Sequence, residues 1–232
     1  MNEEITINGI PLEDYQGQTM LDYKIGAPVV ENSFFHGVNR TNVVLLKSFV
    51  GLREIEITIA FRGRSLHEAK IMRSQFNSQI YGKCEIYIPD DGFFYSCICK
   101  NMGEEELIGI GEHSAQIKAT YQLQGVRHGA LQTVTIQGGG TVYCDGTNPR
   151  TDCRLTATAS AAAANYRLAS ATFHNVAAGD VLVFDGIDGK VTKNGVNVAG
   201  TTDWMTFPYL YNGANVIRCA DPVTVEFYPA YL

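Results

Sequence analysis

Apolar and polar positions alternate along much of the first half of the chain. Glu4-Ile5-Thr6-Ile7-Asn8, Glu54-Ile55-Glu56-Ile57-Thr58-Ile59 and Glu85-Ile86-Tyr87-Ile88 each repeat with a period of two. In extended backbone successive side chains point to opposite faces, so these runs predict strands with one face buried and one wet. Asp90-Asp91-Gly92 turns the chain into Phe93-Phe94-Tyr95-Ser96-Cys97-Ile98, which predicts a hairpin, and a further alternating run covers residues 115–123. One segment changes period. Leu66, Ala69, Met72, Phe76 and Ile80 recur at helical spacing behind Ser65, with Glu68 three residues on, the pattern of a capping box. Gly82 can supply the left-handed stop. A single helix must lay its apolar stripe on a sheet. The first half therefore predicts an α+β domain, a twisted antiparallel sheet carrying one helix.

The second half predicts strands alone, at 132–137, 154–158, 168–173, 180–184, 190–193, 196–199, 216–219 and 223–228. Asn194-Gly195, between Val191-Thr192-Lys193 and Val196-Asn197-Val198, is the strongest hairpin signal, because both residues tolerate positive φ. Short strands separated by regular turns point to a β-sandwich. Charge also divides the chain: 12 basic and 16 acidic residues lie in 1–128, but only 6 and 8 in 129–232. Gly125-Val126-Arg127-His128-Gly129, polar and bracketed by glycine, reads as the linker, giving domains 1–128 and 129–232 in a mainly β protein.

Composition narrows the function classes. The 232 residues are 45% hydrophobic and 18% charged, which is globular, and the formal net charge of −6 argues against duplex binding through a basic face. No run of about 20 apolar residues and no basic-then-apolar leader is present, so no membrane span is expected and the chain reads as soluble and unexported. Six cysteines (84, 97, 99, 144, 153 and 219) are expected as small buried hydrophobes or idle thiols, with Cys144 and Cys153 near enough in sequence to face each other across a hairpin.

Candidate chemistry is sparse. No serine sits in a G-x-S-x-G elbow, and Gly138-Gly139-Gly140 lacks the Lys-Ser/Thr ending of a phosphate loop. Asp185-Gly186-Ile187-Asp188-Gly189 has two carboxylates but not the further acidic ligands of a calcium loop, so a tight turn is expected. His67 and His128 read as solvated; His174, after a strand, has the chemistry of a general base, but with no partner nucleophile in view a structural role is expected. Glu104-Glu105-Glu106 reads as a wet loop, and Asn39-Arg40-Thr41 matches a glycosylation triplet that an unexported chain would not use. No catalytic, metal or cofactor site is expected. The stretch Val43-Val44-Leu45-Leu46, continued by Phe49-Val50-Gly51-Leu52 and preceded by Phe34-Phe35, fits neither a clean helix nor an alternating strand. It is either core or a surface for self-association.

Taken whole, the chain resembles the distal tail proteins of long-tailed bacteriophages and prophages. The resemblance rests on Ile5-Thr6-Ile7-Asn8-Gly9, on residues 54–63 followed at once by the capped helix, and on the hairpin across Pro89-Asp90-Asp91-Gly92. In the second half it rests on residues 179–186, on Gly189-Lys190-Val191-Thr192-Lys193-Asn194-Gly195 and on residues 223–229. It implies a first domain that assembles into a hexameric ring and a second, galectin-like sandwich. Such a ring joins the tail tube to the baseplate or tip, leaves a channel through which DNA passes without specific binding, and is part of a virion assembled in the bacterial host cytoplasm. The implied partners are further copies of the chain, the tail tube protein and the tip or baseplate proteins, with no membrane. A ring requires one patch to meet a different patch on the next subunit, and Phe34, Phe35, Val43, Val44, Leu45 and Leu46 are the expected contributors. Sugar-binding galectins carry a His, one residue, then Asn-Pro-Arg, and later Trp-Gly-x-Glu. Here Asn148-Pro149-Arg150 follows Gly146 rather than His, and Trp204 is followed by Met205-Thr206-Phe207. Asn148, Arg150 and Trp204 are thus weak candidates for the alternative function, carbohydrate binding.

Overall fold

The computed structural model describes residues 4–14, 17–36 and 42–232. The triplet Asn39-Arg40-Thr41 lies outside them. The chain separates into two compact units, Met1–His128 (with Leu232) and Gly129–Tyr231.

In the first unit the strands are β1 (Thr6–Ile7), β2 (Ile10–Pro11), β3 (Gln18–Phe35), β4 (Val44–Gly63), β5 (Lys83–Ile88), β6 (Phe93–Asn101), β7 (Glu105–Gly111) and β8 (Ser114–His128), with the helix α1 (Leu66–Ile80) between β4 and β5. They form one sheet in the order β2-β1-β5-β6-β8-β4-β3, and β7 also pairs with β8. The alternation in β4 works as its pattern demands. Ile55, Ile57, Ile59 and Phe61 are buried while Glu54 and Glu56 face water, and the β8 residues opposite them, Leu123, Tyr121, Ala119 and Ile117, are buried too. This two-strand platform receives α1. Phe76 lies 5.7 Å from Phe61 and 5.1 Å from Tyr121, ring centre to ring centre, and the Tyr121 hydroxyl donates to Asn77 Oδ1 at 2.9 Å.

The helix is stopped at both ends by the residues its sequence suggests. Ser65 Oγ accepts from the Glu68 N–H at 3.2 Å, and Gly82, just past the last turn, takes φ +87°. The reciprocal contact of the capping box is displaced by one residue: Glu68 Oε2 accepts from the Arg64 N–H at 2.6 Å instead of from Ser65.

Three expectations for this unit are corrected. Residues 125–128 are not a linker but the last residues of β8, paired with β6 through Ser96↔Val126, Tyr95↔Arg127 and Phe94↔His128. Gly125 is there for close approach, since a Cβ on it would fall 2.6 Å from Cys97 Sγ and from the Ser96 carbonyl. The polar residues beside it are held by aromatic rings: Arg127 lies 4.6 Å over Phe93, and His128, which was expected in solvent, is 6% exposed and stacked 5.7 Å from Phe94. The acidic run is wet but not a loop. Glu105 and Glu106 belong to β7, which is exposed throughout, and they face Lys70 (2.5 Å), Arg73 (3.4 Å) and Lys118 (3.0 Å).

The second unit contains β9 (Gln132–Ile136), β10 (Gly140–Cys144), β11 (Thr151–Thr158), β12 (Ala163–Leu168), β13 (Ala171–Val176), β14 (Val181–Asp185), β15 (Lys190–Lys193), β16 (Val196–Asn197), β17 (Thr202–Asp203), β18 (Tyr209–Leu210), β19 (Gly213–Ile217) and β20 (Val223–Phe227). The largest sheet runs β16-β15-β14-β11-β20-β9, β18 pairs with β11, and β12-β13-β17 and β10-β19 form smaller antiparallel sheets. Leu155, Phe184, Val225 and Phe227 from the large sheet share one core with Leu168, Phe173, Val142 and Ile217 from the smaller ones. Asn194 and Gly195 make the predicted tight turn, at φ +52° and +77°. The expected strand 168–173 is instead two strands that meet at a hairpin, with Leu168 opposite Ala171. The turn was hidden because Ala169, not a glycine, takes the left-handed conformation, at φ +53°. That choice costs about 1 kcal/mol. The compensation is local: Ala169 N–H donates to the Arg218 carbonyl at 2.8 Å.

The six cysteines are all free thiols. Burial raises Cys84 to about 11 and Cys153 to about 12, so both stay protonated and unreactive at neutral pH.

Candidate functional site

The strands β3 and β4 are far longer than the body of the sheet requires. Their inner halves pair from Gln18↔Phe61 to Ile25↔Ile55, where β4 also has β8 on its other side. The ladder to β8 ends at Arg53↔Gly125, and beyond it β3 and β4 continue alone through Val30↔Val50, Glu31↔Phe49, Asn32↔Ser48, Ser33↔Lys47, Phe34↔Leu45 and Phe35↔Val44. At about 3.3 Å per residue this is a two-stranded arm of some 25 Å. Arg53 sits at its root, 8% exposed, and its guanidinium donates to the Gly26 carbonyl at 3.1 Å. Burial, and then the neighbouring charge of Arg127, hold its pKa below the ordinary arginine value.

The tip of the arm shows why its sequence fits no simple period. The register shifts between Ser33 and Phe34, leaving Leu46 as an extra residue without a cross-strand partner. Phe34 and Leu45 then lie opposite each other on one face, Phe35 and Val44 on the other. Both faces are therefore apolar, and the described residues leave both exposed. Phe34, Phe35, Val43, Val44, Leu45 and Leu46 are exposed by between 37% (Val44) and 66% (Leu46). Of the two readings open in the sequence, core and surface, the isolated chain adopts surface. Leaving so many large side chains in water forgoes on the order of 5–10 kcal/mol of burial, and a free two-stranded ribbon is marginal in water. Val29 and Val30, which sequence reasoning passed over, are exposed on the same arm. Their only signal was a short apolar run beside Pro28, and proline in a strand is typical of a sheet edge.

The residues considered for sugar binding are engaged separately. The Asn148 N–H donates to the Ala230 carbonyl at 3.0 Å. The Arg150 guanidinium lies 4.5 Å over the ring of Tyr209. Trp204 packs 4.5 Å from Phe207, and its indole N–H donates to the Ala199 carbonyl at 3.2 Å.

The remaining polar candidates are structural. His174 lies within β13, with Nδ1 2.7 Å from Asn165 Oδ1 and Nε2 2.9 Å from Asp203 Oδ2. With both ring nitrogens engaged, neither is left to accept a proton from a nucleophile. Asp185 closes its own turn by accepting from Ile187 N–H (2.9 Å) and Asp188 N–H (3.1 Å), and it receives Arg154 Nε at 2.7 Å. Among the described residues no group of three or more His, Cys, Asp or Glu is placed to hold a metal ion, and no helix is long and apolar enough to cross a membrane.

No known family model matches the sequence, and no curated protein matches it. Solved structures do match in fold. The crystal structure of the Dit (gp 19.1) protein of phage SPP1, described as a paradigm of the hub adsorption apparatus in phages that infect Gram-positive bacteria, aligns with a TM-score of 0.66 at 13% identity over 99% of both chains. The baseplate of phage P2 in its activated conformation with Ca aligns with a TM-score of 0.55 at 10% identity, over 94% of this chain and 92% of that one. The same baseplate with Sr gives 0.52 at 10% identity, over 93% and 92%. The chain thus has, over its whole length, the fold of a phage hub protein.

Proposed function

We propose that this protein is a structural component of a phage tail, a distal tail subunit that closes with five further copies into a ring between the tail tube and the baseplate or tip. The observation that carries the reading is the fold likeness to the SPP1 Dit protein over 99% of both chains. The exposed arm offers an apolar patch of the kind a ring interface would cover, with the tip of one copy seated on a different surface of the next. The net charge of −6 per copy is compatible with a channel along which DNA moves without adhering, because like charge repels phosphate. In this reading the first unit builds the ring and the second is a galectin-like outward module. The protein works without catalysis or cofactor, it resides in the virion, and it is assembled in the host cytoplasm.

The test is native mass spectrometry of the purified chain over a concentration series, together with electron microscopy of particles. The expected result is a species of six times the chain mass and a six-fold collar in the particle. A chain that stays monomeric at high concentration, with particles lacking any such collar, would overturn the proposal.

A further inference from the structure

A second surface lies in the Gly129–Tyr231 unit. Arg167, Arg218, Tyr209, Tyr211 and Phe207 line an open groove of about 540 Å³, within the usual size range of small-ligand sites. No carboxylate is among its lining residues, although the chain as a whole carries an excess of acidic groups. The two arginines come from distant parts of the sequence and are brought together by the antiparallel bridge Leu168↔Cys219 and the Ala169-to-Arg218 backbone hydrogen bond. Leu168 points into the core at 0% exposure, so the residues flanking the bridge face outward. Arg167 Nε donates to the Ala169 carbonyl at 3.0 Å, which fixes the side chain and leaves its two terminal amino groups for a ligand. Neither arginine forms a salt bridge among the described residues.

The aromatic wall is equally pre-set. Tyr209 and Tyr211 meet edge to face at 5.2 Å, with their hydroxyls 3.0 Å apart, and Arg150 covers the Tyr209 ring. The loop bearing them is locked by Asn215, whose amide accepts from Tyr211 N–H and donates to the carbonyls of Tyr211 and Gly213, all at 2.8–2.9 Å. The geometry points to a binding site for an anionic saccharide, one whose carboxylate or phosphate is gripped by the two guanidinium groups while a sugar face rests on the tyrosines. Guanidinium groups bind both anions bidentately, and a rigid aromatic wall offers flat apolar area at little entropic cost. An extended acidic peptide is the poorer fit. The backbone at the rim is already used, Tyr211 by Asn215 and the Arg218 carbonyl by Ala169, so an incoming strand finds few groups to pair with. Asn148, Arg150 and Trp204 do not themselves line the groove, although Arg150 stacks on its Tyr209 and Trp204 on its Phe207 from behind the wall. The groove lies in the other unit from the arm, and it stands whether or not the chain forms a ring.

The experiment is isothermal titration of the full chain at low ionic strength with four probes: trigalacturonate, glucose 1-phosphate, neutral maltotriose and hexaglutamate. Saturable binding of trigalacturonate or glucose 1-phosphate is expected, and which of the two binds tells whether carboxylate or phosphate is the preferred anion. Arg167→Gln and Arg218→Gln should each weaken it tenfold or more, with unchanged melting curves because both side chains are exposed. Maltotriose should bind at least tenfold more weakly. Absence of saturable binding to both anionic saccharides, equal or tighter binding of hexaglutamate or maltotriose, or full affinity in both arginine variants would overturn the assignment.

Discussion

The two ends of the β3–β4 hairpin are made of the same material and have opposite fates. At the base, Ile55, Ile57, Ile59 and Phe61 are buried beneath α1 and beside β8; at the tip, Phe34, Phe35, Leu45 and Leu46 lie in water. Hydrophobicity does not separate them. What separates them is the neighbour: β8 accompanies β4 only as far as Arg53, and the helix covers only the inner half. An apolar strand is therefore core or contact surface according to what packs on it, and at the tip none of the described residues of the first unit does.

The sharpest way to test that contrast is to cut into the base. Phe76→Ala removes a fully buried ring from between Phe61 and Tyr121 and should cost about 3–5 kcal/mol in equilibrium urea unfolding of the first unit. A loss below about 1 kcal/mol would mean that the helix does not hold the platform. Next in size, Ser65→Ala deletes the hydroxyl that accepts from Glu68 N–H and should cost about 1 kcal/mol in the same measurement. A smaller, pH-dependent effect is expected where β7 meets the helix. The hydrogen bond from Lys70, aided by its charge and that of Arg73, holds the Glu105 carboxyl below its usual value of 4.5. A group depressed in this way stabilises the fold above its unfolded pKa and loses that contribution as pH falls through the lower folded value. The urea midpoint should therefore drop below about pH 4.5, and Glu105→Gln should flatten that part of the profile. The smallest effect on the fold belongs to the tip: Leu45→Glu should change monomer stability by no more than about 0.5 kcal/mol. The same variant should abolish the higher-mass species in native mass spectrometry. A variant that keeps the assembly would show that the tip is not the contact.

The comparison also explains what was legible in the sequence. Where a strand has one wet and one dry face, as in residues 54–59, the period of two is visible and the strand is read correctly. The helix carried its own signals in Ser65, Glu68 and Gly82. Three features hid from that logic. At the tip an extra residue and two apolar faces erase the period. In β7 no face is buried, so no period exists to be read. At Ala169 a turn is made without the residue that usually marks one. Gly125 misled in the opposite direction, because a glycine required by the close approach of Cys97 looks the same in sequence as one that ends a strand. The groove residues Arg167, Tyr209, Tyr211 and Arg218 carried no local signal, since only the sheet pairings unite them.

The root of the arm has a mechanical consequence. The β4–β8 ladder joins eleven consecutive residue pairs, from Arg53↔Gly125 to Gly63↔Ala115, and its strands run along the direction in which the arm extends. A tug on the arm is therefore taken in shear, shared by many hydrogen bonds at once, rather than peeling them apart one after another like a zip. A tether anchored in this way can bear sudden tension and hand it to the middle of the sheet, leaving the fold behind it undisturbed.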